Sequence, residues 1–182
     1  PGWIVIMLLT RCRSRRISEA RKALTTPDNE IVEDEDFGKC MRSIDGTVFY
    51  SLDKKVLLKV MDVERFSVPD SVTKVREGAF SACESLQEVS IPDSVTKIGK
   101  RAFEGWNSLR EVRIPNSITK IRESTFYGCE SLREIRIPDS VTDIEMWAFA
   151  CCESLLKVHI PDSVTKIGES AFLWCESLRE VR

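Results

Sequence analysis

The sequence is short of the residues that do chemistry. Its 182 residues include a single histidine, His159, so a histidine-based triad has no evident partners and a two-histidine metal site cannot form. Glycine-rich phosphate loops and paired-acid motifs are missing. None of the seven cysteines falls in C-x-x-C spacing, which argues against a zinc knuckle or redox couple, and an odd number does not suit a fully paired disulfide framework. There is no N-x-S/T sequon, which leans away from a glycosylated surface protein. Neither sign of charge dominates: 27 basic and 29 acidic side chains give a net charge of -2, so electrostatics of the whole molecule recruits neither nucleic acid nor anionic lipid. The expectation is a protein partner, with no nucleic acid, metal or cofactor.

Long apolar runs are also lacking. Trp3 to Leu9 (WIVIMLL) is far below the roughly 18 residues that span a bilayer. Arg11, Arg13, Arg15 and Arg16 follow it, the reverse of a signal peptide and the order of a stop-transfer flank. Two readings stand: a short strand or helix covering one end of the fold, or the tail of a membrane anchor. Membrane contact is expected only through such an anchor.

What is present is repetition. Residues 1–44 share nothing with the rest; within them Ser18 to Leu24 predicts a short helix ended by Pro27, because proline removes a donor and crowds the preceding turn. Six acids between Asp28 and Asp36 predict a solvated linker. Residues 45–67 open on an Asp45-Gly46 turn, continue as two β-prone runs, 47–50 and 56–60, that predict a hairpin, and end in a half repeat at Val63, Phe66 and Val68. From 68 to 182 a 23-residue unit recurs five times: 68–90, 91–113, 114–136, 137–159 and 160–182. Such a period marks a solenoid, whose units bury their apolar edges only by stacking.

Within the unit, apolar letters fall in columns. Leu86, Leu109, Leu132, Leu155 and Leu178 open a strand that continues through Val89, Val112, Ile135, Val158 and Val181 to Ile91, Ile114, Ile137 and Ile160; the last two columns alternate with polar residues at period two, as a half-buried strand requires. Pro-Asp-Ser then turns the chain, and Val-Thr-Lys-Ile reads as a short second strand. Phe80, Phe103, Phe126, Phe149 and Phe172 are expected to stack as a core spine, about 4.8 Å apart if neighbouring strands pair in parallel.

The pattern I-P-x-S-V-x-x-I-x-x-x-A-F-x-x-C-x-S-L-x-x-V-x resembles the BspA-like (Treponema pallidum type) leucine-rich repeat family, over Val68 to Arg182. The segment DGTVFYSLDKKVLLKV is similar to the hairpin that often precedes such repeats. The resemblance implies a leucine-rich-repeat solenoid with one short parallel β-strand per repeat on the concave side and turns or short helical segments opposite. It also implies protein binding, and several members are cell-surface adhesins; a fragment of such an adhesin or receptor is the alternative to a free-standing scaffold.

Two surfaces are candidates for a partner. On the sheet face, Glu88, Glu111, Glu134, Lys157 and Glu180 form one outward stripe, and Arg113, Arg136, His159 and Arg182, with Ser90, form the next; the structural reading of these stripes is mutual neutralisation. On the turn side, Tyr127, Trp147, Leu173 and Trp174 depart from the repeated background and form either an interface anchor or partly buried packing between repeats. Cys83, Cys129, Cys152 and Cys175 share one column, with Trp106 in the second copy, and read as free thiols packed as small hydrophobes. Cys151 lies outside the column and is the better candidate for an exposed thiol.

Overall fold

The computed structural model describes residues 29–182 apart from 44, 62 and 82; the apolar run and the expected helix at 18–24 lie outside the described residues. Each repeat makes one coil with two short strands and a turn side, and no helix occurs among the described residues. Of the turns or short helical segments expected opposite the sheet, the structure has turns. Left-handed residues recur in those turns four apart, as at Ser124 and Gly128, and a right-handed helix cannot run through them.

The acidic stretch expected to be a linker is instead a hairpin. Strands β1 (Asn29–Asp34) and β2 (Gly38–Ser43) pair antiparallel, from Asn29↔Ser43 to Asp34↔Gly38. Asp34 Oδ1 accepts the Asp36 N–H at 2.9 Å, Gly38 supplies a left-handed φ of 63°, and Arg42 is ion-paired with Glu30 across the strands. Acid repulsion is thus relieved by one cross-strand cation and a side-chain-stabilised turn. The second hairpin is as expected: β3 (Val48–Tyr50) and β4 (Val56–Val60) are antiparallel, with a register shift at Phe49/Tyr50. Phe37 meets Phe49 at 5.9 Å, and the Arg76 guanidinium sits 4.9 Å above the Phe37 ring, tying the hairpins to the first coil.

The Lys-Ile strands form one wall. In chain order they are β6 (Lys74–Val75), β8 (Lys97–Ile98), β10 (Lys120–Ile121), β12 (Asp143–Ile144) and β14 (Lys166–Ile167). The Glu-Val strands form the other: β5 (Arg65–Ser67), β7 (Glu88–Ser90), β9 (Glu111–Val112), β11 (Glu134–Arg136), β13 (Lys157–His159) and β15 (Glu180–Val181). All pairs within the walls are parallel, and residues 23 apart are partners, as in Val75↔Ile98 and Ile135↔Val158. These strands start two residues after the leucine column, so Leu86, Leu109, Leu132 and Leu155, all fully buried, lie in the bend before the strand.

Both walls are interrupted at the same place. The first runs β1-β2-β3-β4-β6-β8 and resumes as β10-β12-β14; the second runs β5-β7-β9 and resumes as β11-β13-β15. The seam lies between the second and third copies, where a void of about 10 Å³ is lined by Ile98, Ile114, Ile118, Ile121 and Phe126. The third copy carries Ile118 and Thr125 where the others have valine and alanine. The two departures from the repeat thus coincide with the parting of the ladders, and both side chains line the void.

The turns bind the coils across the seam. Arg101, Phe103 and Gly105 donate N–H bonds to the Glu123, Thr125 and Tyr127 carbonyls at 3.1, 3.0 and 2.8 Å. Ser124, Phe126 and Gly128 repeat the pattern to the next coil, and Trp147, Phe149 and Cys151 to the one after. This is a third ladder in which every other residue donates. Left-handed φ recurs in two columns to make it: Gly78, Arg101, Ser124, Trp147 and Ser170, and Gly105, Gly128, Cys151 and Trp174, with φ between 53° and 76°.

Inside, the phenylalanine spine is continuous. Phe80, Phe103, Phe126 and Phe149 are buried, with successive centroids at 5.1 to 5.2 Å, and Phe172 stacks on Phe149 at 5.2 Å. The Pro-Asp-Ser corner closes each coil: Val95 N–H donates to Pro92 O at 3.1 Å, while Ser94 Oγ donates to Val72 O of the preceding coil at 2.9 Å. Ser117, Ser140 and Ser163 repeat that inter-coil bond. The serine is therefore a strut between coils as well as a turn former.

Candidate partner-binding surfaces

The sheet-face residues sit on the second wall, with Glu88, Glu111, Arg113, Glu134, Arg136, Lys157, His159 and Arg182 exposed and Glu180 half-buried. Register places Glu88 beside Glu111, Glu134 beside Lys157, and Arg136 beside His159. Neutralisation is only partial. Lys157 pairs with Glu180 at 3.6 Å, Arg65 with Glu88 at 3.5 Å, and Arg182 with Glu180. Glu111, Arg113, Glu134 and Arg136 make no ion pair among the described residues. Outward positions two apart on one strand do not bring Glu134 and Arg136 together, so the middle of this face keeps free charge of both signs. Arg136, His159 and Arg182 also form one side of a surface depression of about 500 Å³, whose other lining includes Asp139 and Asp162.

The turn-side residues sit on the third ladder. Trp147 and Trp174 are 39% and 62% exposed and Leu173 is 42% exposed, so each presents part of its surface to solvent and packs the rest. Tyr127 is half-buried, and its hydroxyl shares a hydrogen bond with the Cys151 thiol that raises the tyrosine pKa. Trp147 and Trp174 occupy left-handed positions, φ 55° and 57°, where other copies place Gly, Arg or Ser in the first column and Ala, Gly or Cys in the second. Such a φ is costly for a bulky side chain. Backbone bonding imposes the conformation: Trp147 N–H donates to Glu169 O at 3.2 Å.

The cysteine column has a function that composition alone misses. Cys129, Cys152 and Cys175 direct Sγ toward the carbonyl of the phenylalanine one coil back, at 3.4, 3.2 and 3.2 Å, and Trp106 does the same with Nε1 to Phe80 O at 2.9 Å. Thiol and indole are interchangeable there because each offers one donor from an otherwise apolar body. Only the shared column position could have signalled this in the sequence. The thiols are free. Hydrogen bonding to Cys129 raises the pKa of Cys152, and hydrogen bonding to Cys152 followed by burial raises that of Cys175. Cys151 is half-buried, outside the column.

Chemistry has little to work with. His159 stands on the strand surface beside Arg136, and among the described residues no group of three His, Cys, Asp or Glu is arranged to hold a metal ion. Nor is any described helix long and apolar enough to cross a membrane.

The profile of the BspA type leucine rich repeat region matches residues 50–179 in six copies. The crystal structure of a leucine rich cell surface protein of Faecalibacterium prausnitzii is similar with a TM-score of 0.67 and 34% identity, covering 86% of this chain and 40% of that one. This chain thus spans well under half of that protein's length. The T. pallidum leucine-rich repeat protein gives a TM-score of 0.66 at 32% identity over 75% of this chain and 67% of its own. The pneumococcal vaccine antigen PcpA gives 0.66 at 26% identity, over 76% of this chain and 35% of its own. No curated protein matches.

Proposed function

Because the chain belongs to the BspA type leucine-rich repeat family, we propose that it is a non-catalytic scaffold that binds a protein partner. The repeat spends its constant letters on the interior, the corner struts and the phenylalanine spine, leaving the outward columns free to vary. The observation that carries the reading is the unpaired charge of Glu111, Arg113, Glu134 and Arg136 on a rigid sheet face. Charges held without partners there favour recognition over mutual neutralisation, since a complementary surface supplies the missing counter-charges. A second reading is part of a cell-surface adhesin or receptor ectodomain. It is favoured by the Faecalibacterium relative, which is a cell surface protein.

Affinity capture with the 182-residue chain tests the proposal. Capture of a protein that is lost with R113E/R136E assigns binding to the sheet face; loss with W147S/W174G assigns it to the turn side. Capture unchanged by both pairs of substitutions refutes both candidate surfaces.

A further inference from the structure

The turn sides of the last two copies differ in kind from the first three. Between Ile144 and Leu156, and again between Ile167 and Leu178, there is no lysine or arginine, whereas Glu145, Glu153, Glu169 and Glu176 are present. The same stretches of the earlier copies mix both signs, with Arg76 beside Glu77 and Glu84, then Lys100 and Arg101 beside Glu104, then Arg122 beside Glu123 and Glu130. From the fourth copy onward the cations are gone and only the acids remain. The same two stretches hold the exposed Trp147, Leu173 and Trp174. Backbone bonds bring the two stretches side by side: Trp147 N–H meets Glu169 O, and Cys151 N–H meets Leu173 O at 2.8 Å. Glu153, Glu169 and Glu176 are exposed and make no ion pair among the described residues, while Glu145 Oε2 accepts the Glu123 N–H at 3.0 Å.

We infer that this surface binds a basic peptide segment, with lysine or arginine side chains laid over the faces of Trp147 and Trp174 and the glutamates around them supplying counter-charge. The inference rests on the protein-binding reading and names the chemistry of the partner. An indole face attracts a cation through its quadrupole, and a neighbouring carboxylate adds to that attraction. An acidic partner is repelled by the same glutamates. A purely apolar partner would bury carboxylates that have no counter-charge, which is costly. Trp147 and Trp174 lie on adjacent coils in different columns, so one small cation cannot cover both, whereas an extended peptide with several cations can.

The repeat itself supplies substitutions that keep the fold. The Trp147 column holds serine at 124 and 170, and the Trp174 column holds glycine at 105 and 128, each with the same left-handed backbone where it is reached. W147S/W174G is thus expected to melt with the parent. The probe is a synthetic peptide of alternating arginine and glycine, compared with its glutamate and glutamine counterparts, and binding is read by calorimetry at low and at raised salt. The arginine peptide is expected to bind, to weaken as salt screens the pairing, and to lose at least tenfold in affinity with W147S/W174G and a severalfold amount with E169Q/E176Q. K74E/K97E, on the Lys-Ile wall, should leave it unchanged. Equal binding to parent and W147S/W174G, preference for the glutamate peptide, or no binding of the arginine peptide each overturns the inference. If the arginine peptide fails while capture of a protein partner is abolished by R113E/R136E, the scaffold reading survives and only this inference falls.

Discussion

At the scale of single residues, the structure separates side chains that hold the coil from those that the coil displays. Phe126 is buried and stacked on both sides at 5.2 Å, and neither neighbouring ring can move into its space. Phe126→Ala should lose about 3 to 5 kcal/mol by chemical denaturation, whereas Arg136→Ala, exposed and unpaired, should stay within about 0.5 kcal/mol. Gly168 has a different constraint: a Cβ there would lie 2.4 Å from the Met146 backbone nitrogen. Backbone cannot swing aside as a side chain can, so Gly168→Ala should lower the melting temperature, and a neutral result would mean that the coils separate easily. Thiol reactivity should follow the same division. The pKa values of Cys152 and Cys175 are raised, and thiolate is the reactive form; on a C12S background, labelling at pH 8 is expected to modify Cys151 before the column thiols. The buried letters of this list are legible in the sequence as columns. The donor function of Cys and Trp106 is not, because it depends on the direction of Sγ and Nε1 toward a carbonyl 26 residues earlier.

At the scale of elements, two ladders are foreseeable and one is not. Alternation of polar and apolar letters announces the strands at Glu134–Arg136 and Lys157–His159. The turn ladder has no comparable alphabet, since its left-handed residues include Arg101, Ser124, Trp147 and Ser170, and only its glycines are suggestive. The β1–β2 hairpin escapes for a related reason: acids usually mark solvated chain, and a single cross-strand arginine is enough to reverse that here. The seam between β8 and β10 leads to a measurable expectation. Backbone amides of Lys97–Ile98 and Lys120–Ile121, the two strands that border the seam, should exchange with solvent faster than those of Lys74–Val75 and Asp143–Ile144, which have a neighbour on both sides. I118V/T125A, which restores the common letters, should slow that exchange; uniform protection along the wall would mean that the seam is closed in solution.

At the scale of the whole molecule, carboxylates bonded within and between coils make stability sensitive to acid. Glu123 is held below its ordinary pKa of 4.5 by the hydrogen bond from Lys100, 2.7 Å away, and Asp143 below 3.8 chiefly by its bond from Thr142. Folded pKa values lower than unfolded ones stabilise the fold above the unfolded pKa, and that stability is lost as pH falls through the folded value. Unfolding free energy should therefore decline below about pH 4.5, and K100M should flatten the decline contributed by Glu123. An identical acid profile for parent and K100M would remove this pair from the account. The solenoid architecture, its period and its spine are all readable from letters alone, since stacking forces identical residues into register. Which outward face recognises a partner is less readable, because exposure of Trp147 and Trp174 is decided by main-chain geometry rather than by hydropathy.

The turn ladder is built wholly from N–H and C=O groups, which every amino acid except proline can supply. At the donors Arg101, Ser124 and Trp147, the link therefore does not depend on what the side chain is, whereas the phenylalanines that donate between them are fixed by the spine. That leaves one flank of the molecule whose side chains differ from coil to coil, as Arg101, Ser124, Trp147 and Ser170 do, while the backbone beneath them keeps one shape.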